Sequence, residues 1–217
     1  MNKEKNMTKE EFVKILKQKK YQFYQKDEEI VITEEGFVEL DSCTSLPNGV
    51  RFENDGEVYL EDCTTLPKGL RFKNNGDVHL ESCTTLLDGI IFENRGDVNL
   101  EECKKLPTNI KFENTGFIDM ESCSKINYQG EDLTLKFVGG HSLIVDFFQS
   151  IDGLDIYKGR YLQGGKLESL PVCFIVQKDE YVAQAQSIEE VIGKISSSFL
   201  GSSFDVDSLV ASMKEKL

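Results

Sequence analysis

The chain has only two histidines, His79 and His141, and no G-x-S-x-G elbow, P-loop or H-E-x-x-H segment in its 217 residues. Those motifs hold a nucleophile, a phosphate cradle or a metal pair in fixed geometry, so the best-defined hydrolase and nucleotide-binding readings fall away. A D-x-[DN]-x-[DN]-G loop and a G-G-x-G-x-D repeat are also missing, which leaves rows of carboxylates without the usual calcium signature. No run of 18 or more apolar residues occurs, so no segment reads as a membrane-spanning helix. The first twenty residues hold Lys3, Lys5, Lys9, Lys14, Lys17, Lys19 and Lys20 but no apolar stretch of the kind a secretory signal needs. Cytoplasmic residence is the resulting expectation. No two cysteines lie closer than twenty residues, which excludes the paired spacing of zinc sites.

What is present is periodic. Cys43, Cys63, Cys83, Cys103 and Cys123 recur every twenty residues, and so do Phe52, Phe72, Phe92 and Phe112. Gly36, Gly56, Gly76, Gly96 and Gly116 keep the same step. A fixed period of this length is the signature of a solenoid, in which no coil can bury its own apolar face and stacking supplies the core. Inside each unit the apolar alternation is twofold: Leu70 and Phe72 alternate with Arg71 and Lys73, and Val78 and Leu80 with His79 and Glu81. That pattern predicts two short strands per coil, joined by a corner at Asn74-Asn75-Gly76 where glycine is free to take a positive φ. The side chains at the Leu70, Phe72, Val78, Leu80, Cys83 and Leu86 positions point inward. Cysteines at equivalent positions read as reduced, buried thiols rather than disulfides, because parallel stacked side chains rarely offer the required dihedral. The column of Asn54, Asn74, Asn94 and Asn114 reads as structural, hydrogen-bonding either along the axis or to the corner backbone.

The flanks differ from the repeat. Thr8 followed by Glu11 is a capping box, and Phe12, Val13, Ile15 and Leu16 predict an amphipathic helix over about 9–20. A hairpin or first coil follows to residue 33, completing an N-terminal cap over residues 1–33. The solenoid spans 34–128. Residues 129–217 read as a small α+β domain: strands near Leu133–Val138, Leu143–Phe148, Ile156–Leu162, Pro171–Val176 and Tyr181–Ala183, a turn at Gly164-Gly165, and a capping box at Ser187 and Glu190. A last helix is expected over Val206–Leu217. The fold class expected is therefore mainly β: a parallel β-solenoid with an N-terminal helical cap and a small C-terminal α+β domain.

The unit V-x-L-x-x-C-T-x-L-P resembles the L-x-L-x-x-N/C-x-L segment of leucine-rich repeats. Asp55 stands where that family places a leucine three residues ahead of Val58, which favours a straighter solenoid over a horseshoe. The longer repeat L-P-x-G-L-R-F-x-N-x-G-x-V-x-L, preceded by a helix, also looks like repeat proteins found among phage and mobile-element proteins of unassigned role. Neither resemblance implies catalytic residues, a cofactor or a metal.

The net charge of −13 is concentrated in the solenoid: residues 21–129 carry ten basic and 22 acidic side chains. Such a balance suits phosphate backbones poorly, since those are bound by Lys and Arg that displace counterions. One column of each coil reads Asp41, Glu61, Glu81, Glu101 and Glu121. Two residues earlier stand Glu39, Tyr59, His79, Asn99 and Asp119, and two earlier again Glu57, Asp77 and Asp97. Like charges about 5 Å apart repel by roughly 0.8 kcal/mol per pair even at the dielectric of water, a cost that a bare scaffold does not require. Two readings follow. The column recognises the basic surface of a protein partner, such as a nucleic-acid-binding enzyme whose groove it fills by mimicking nucleic-acid charge, as acidic β-helices of the pentapeptide-repeat type do. Alternatively it is a solvated face that keeps the sheet edges apart, and the solenoid is a structural or oligomerising part. The chain is expected not to be an enzyme; the competing enzymatic reading places His141 in a C-terminal pocket with Asp146 or Asp155.

Overall fold

The structure, a computed structural model, describes residues 7–107, 109–128, 130–138, 141–151, 154–163, 172–178, 181–187, 189–191, 193 and 211. It is a mainly β protein: a parallel β-solenoid of about four turns, a helix at its N-terminus and a separate antiparallel sheet in the C-terminal region.

The helix Lys9–Lys19 begins as its capping residues dictate. Thr8 Oγ1 accepts from the Glu11 amide at 3.2 Å, and the Glu11 carboxylate accepts from the Thr8 amide at 2.9 Å. Lys20 turns left-handed at φ 62° and ends it. Phe12 and Leu16, four residues apart on one face, are fully buried in the solenoid core. A hairpin follows, Phe23–Lys26 against Glu29–Ile32. Its second strand also pairs in parallel with Val50–Phe52, so the segment is hairpin and first coil at once.

Three faces make each coil. Sheet A continues from Val50–Phe52 through Arg71–Phe72 and Ile91–Phe92 to Lys111–Phe112. Sheet B stacks Val38–Glu39, Val58–Tyr59, Val78–His79, Val98–Asn99 and Ile118–Asp119. The short third face pairs Thr65–Leu66 with Thr85–Leu86. Every pairing joins residues twenty apart, so each inward side chain rests on its equivalent. Phe52, Phe72, Phe92 and Phe112 form one buried pile with ring centroids 5.2, 5.0 and 5.2 Å apart and nearly parallel planes. The five repeat cysteines are free and buried. Burial lifts their pKa values, that of Cys63 to about 12 and that of Cys103 to about 11, so they act as small apolar fillers.

The corner chemistry departs from the expectation. Gly56, Gly76, Gly96 and Gly116 are not the positive-φ residues; those are Gly49, Gly69 and Gly89 at the opposite corner, with φ of 78°, 73° and 77°. The first column is glycine because the coils touch there. A Cβ on Gly76 would lie 2.7 Å from the Glu57 amide nitrogen, and one on Gly56 2.6 Å from that of Phe37. Beside this contact the asparagine column does both things expected of it, tying down its own corner and reaching along the axis to the preceding coil. Asn74 Nδ2 reaches the carbonyls of Gly56, Gly76 and Asp77 at 3.1, 2.9 and 3.3 Å, and Asn54 and Asn94 repeat the pattern. Three carbonyl neighbours require the nitrogen, not the oxygen, at that position.

The C-terminal sheet has six antiparallel strands in chain order: Lys125–Tyr128, Glu131–Val138, His141–Ile151, Leu154–Tyr161, Val172–Lys178 and Tyr181–Ala185. It closes the far end of the solenoid. Ile118 N donates to Leu162 O at 2.8 Å and Met120 N to Ser142 Oγ at 2.7 Å, while Leu135 and Leu162 join the solenoid core. Ser187 Oγ accepts from the Glu190 amide at 3.2 Å, as a helix cap should. The expected Gly164-Gly165 turn lies outside the described residues, as does the expected helix Val206–Leu217 apart from Ala211.

Candidate functional site: an acidic face on sheet B

The outward surface of sheet B gathers the predicted site residues. Its strands are two residues long, so Tyr59, His79, Asn99 and Asp119 project from the strand itself. Glu57, Asp77 and Asp97 precede the strands, and Asp41, Glu61, Glu81, Glu101 and Glu121 fall in the turns after them. Register brings all of these together as three parallel columns. Glu61 and Glu121 are exposed; Asp41, Glu81 and Glu101 are half-buried.

Not every carboxylate is free. Asp77 Oδ1 accepts from the Asp97 amide at 2.8 Å, and Asp97 Oδ1 from the Phe117 amide at 2.7 Å. Each thereby ties its own coil to the next. Glu81 Oε1 lies 3.2 Å from His79 Nδ1 and accepts from Asn99 Nδ2 at 3.1 Å. Hydrogen bonding to Glu81 raises the His79 pKa over the opposing effect of burial. Burial pushes Glu81 up, yet its bonds from His79 and Asn99 carry it below the usual carboxylate value. The His79 ring stacks on Tyr59, centroids 4.5 Å apart, and the Tyr59 hydroxyl donates to Glu57. That bond to Glu57 is the main reason the phenol is pushed up to about 12.

What the three columns lack is a permanent cation. They contain neither Lys nor Arg, whereas the outer side of sheet A neutralises itself. There Arg51 reaches Glu29 at 3.3 Å and Glu53 at 3.1 Å, and Arg71 reaches Glu93 at 3.0 Å.

Four aromatic participants have no counterpart in the predicted set. Phe37 and Phe117 occupy, at the two ends, the column that the middle coils fill with Glu57, Asp77 and Asp97. Phe117 is covered by the C-terminal sheet: His141 and Tyr161 lie over it at centroid distances of 4.6 and 5.1 Å. His141 Nδ1 is 3.5 Å from Asp119 Oδ1. Burial raises the Asp119 pKa, an effect that His141 opposes. Phe37 is 57% exposed, edge-on to Tyr59 at 6.1 Å. The signal was present in the sequence as the matching segments Phe37-Val38-Glu39-Leu40-Asp41 and Phe117-Ile118-Asp119-Met120-Glu121.

The enzymatic alternative finds its residues dispersed. His141 and Asp146 sit five positions apart on one strand, which sends them to opposite sheet faces about 16 Å apart along it. Asp146 borders a groove with Glu131, Asp132, Lys158 and Arg160 that does not include His141. Comparison with family models, with curated proteins and with solved structures returned no match.

Proposed function

We propose that the protein is a non-enzymatic binding module that presents the acidic face of sheet B to a basic protein surface. One observation carries the reading: two outward faces of one solenoid, built from the same repeats, differ in charge compensation. Sheet A pairs its arginines with its own carboxylates, and the columns on sheet B have no Lys or Arg. Solubility alone gives no reason for such asymmetry, because a mixed surface like that of sheet A already serves it. A partner rich in Lys and Arg supplies the missing charge, and complementary fields of this kind accelerate and orient encounter. In its sharpest form, consistent with the resemblance to phage and mobile-element repeat proteins, the face occupies the basic groove of a host nucleic-acid-handling enzyme, such as a defence enzyme, and inhibits it.

The test is affinity capture across ionic strength. A partner held by this face should be retained at low salt and released as the Debye length falls from about 10 Å at 0.1 M to about 3 Å at 1 M. The combined Glu61→Lys, Glu81→Lys and Glu101→Lys variant should not capture it. A partner retained equally by that variant at both salt concentrations would overturn the proposal.

A further inference from the structure

The two ends of the acidic face are built alike, yet among the described residues only one is covered. At the C-terminal end, where the positions are Phe117, Asp119 and Glu121, the first two receive a planar nitrogen ring from outside the solenoid: His141 lies over Phe117 at 4.6 Å with its Nδ1 3.5 Å from Asp119. At the N-terminal end Phe37, Glu39 and Asp41 hold the same three positions four rungs away. There Phe37 is 57% exposed, and with Glu39, Asp41, Tyr59 and Glu61 it lines a notch of about 330 Å³. Asp41, half-buried in that wall, has an Oδ1 with no hydrogen-bond partner among the described residues. A carboxylate oxygen shielded from water and left unpaired is costly, and a donor arriving from outside removes the cost.

We infer that this notch is the receptor for an arginine side chain of the basic partner, with the guanidinium lying against Phe37 and Tyr59 and donating to Glu39 and Asp41. The inference rests on the reading of sheet B as a partner-binding face and names its anchor point. Arginine fits better than lysine because its planar cation stacks on aromatic rings and forks across carboxylates, whereas an ammonium is a strongly hydrated point charge. The imidazole over Phe117 is the internal template for a planar occupant. The notch is also held in shape from behind. The Tyr21 hydroxyl accepts from Glu39 N at 2.9 Å and donates to Glu39 O at 3.2 Å, so the cap segment fixes the backbone that aims the carboxylate.

The probe is the peptide acetyl-Gly-Arg-Gly-amide, titrated into the full chain and followed by NMR of ring and amide signals, with the neutral citrulline peptide as control. Saturable shifts are expected at the Phe37 and Tyr59 rings and at the Glu39 and Asp41 amides with the arginine peptide alone. Phe37→Ala should weaken that binding about two- to fivefold, and Glu39→Lys should abolish saturation. Because Phe37 is exposed, Phe37→Ala should keep the wild-type circular dichroism. Equal shifts from the citrulline peptide, or shifts spread along Glu61 to Glu121 and insensitive to Phe37→Ala, would overturn the notch while leaving the acidic face standing. Failure of the face itself is read separately, as salt-independent capture by the Glu61, Glu81 and Glu101 variant.

Discussion

Sheets A and B line the same core and repeat with the same twenty-residue step, but they treat charge in opposite ways. On sheet A, Arg51 bridges Glu29 and Glu53, and Arg71 bridges Glu93, so the surface closes its electrostatics locally. In the columns of sheet B the one side chain that can carry positive charge is His79, between Glu57 and Glu81, and a second imidazole, His141, reaches Asp119 from the C-terminal sheet. Copying a repeat multiplies whatever residue it contains, so a row of glutamates alone proves little. Duplication also copies Arg51 into Arg71 twenty residues on, so the contrast belongs to the repeat unit itself, which sets arginine beside carboxylate on sheet A and carboxylates without Lys or Arg on sheet B. The lesson is that in a solenoid the comparison between faces is more informative than the composition of either.

The comparison depends first on both faces being held in register by one core. Phe72→Ala, in the middle of the ring pile, should lower unfolding free energy by about 3–5 kcal/mol; urea denaturation would show whether it does, and a loss below 1 kcal/mol would mean that the pile does not set the register. Gly76→Ala should follow at about 1–3 kcal/mol, since the added methyl meets backbone atoms of the preceding coil at 2.7 and 2.8 Å, which cannot move aside as a side chain can. The corresponding change at Gly69, which a Cβ would leave without a neighbour within 4 Å but which has φ of 73°, should act only through backbone strain.

Single-charge changes sharpen the contrast between the faces. Glu93→Gln removes the partner of Arg71 and should cost no more than about 1 kcal/mol. Glu61→Gln relieves repulsion along an uncompensated column and should be neutral or slightly stabilising. Equal losses in the two variants, measured by urea midpoints, would erase the distinction. The smallest effect concerns His79. Its pKa is raised in the folded state, so its contribution is complete below the unfolded value of about 6.5 and is lost as pH rises through the folded value. Glu81, lowered, contributes above its unfolded value of about 4.3 and loses that contribution as pH falls. Wild type minus His79→Asn stability should therefore shrink between pH 6 and pH 9; a constant difference would show that the pairing does not titrate.

Much of this architecture is legible in the sequence because a periodic chain prints its own contacts. The buried set at Leu70, Phe72, Val78, Leu80, Cys83 and Leu86 follows from twofold alternation combined with the twenty-residue step. The capped helix follows from Thr8 and Glu11. The role of Gly76 does not, because N-x-G looks like a turn until the preceding coil is laid against it. The same blindness hides the use of Asp77 and Asp97 as acceptors for the next coil: a carboxylate in a column reads as surface charge unless the amide opposite is known. The docking of His141 over Phe117 is least legible, since the partners are not related by the period, and that contact reveals what Phe37 lacks.

The most direct measurement compares two charge-matched double variants in partner capture at low salt. Glu61→Lys with Glu101→Lys alters sheet B; Glu53→Lys with Glu93→Lys alters sheet A by the same net charge. Loss of the partner from the first pair with retention by the second is the predicted result. Equal loss from both, or retention by both, would contradict the claim that sheet B is the binding face.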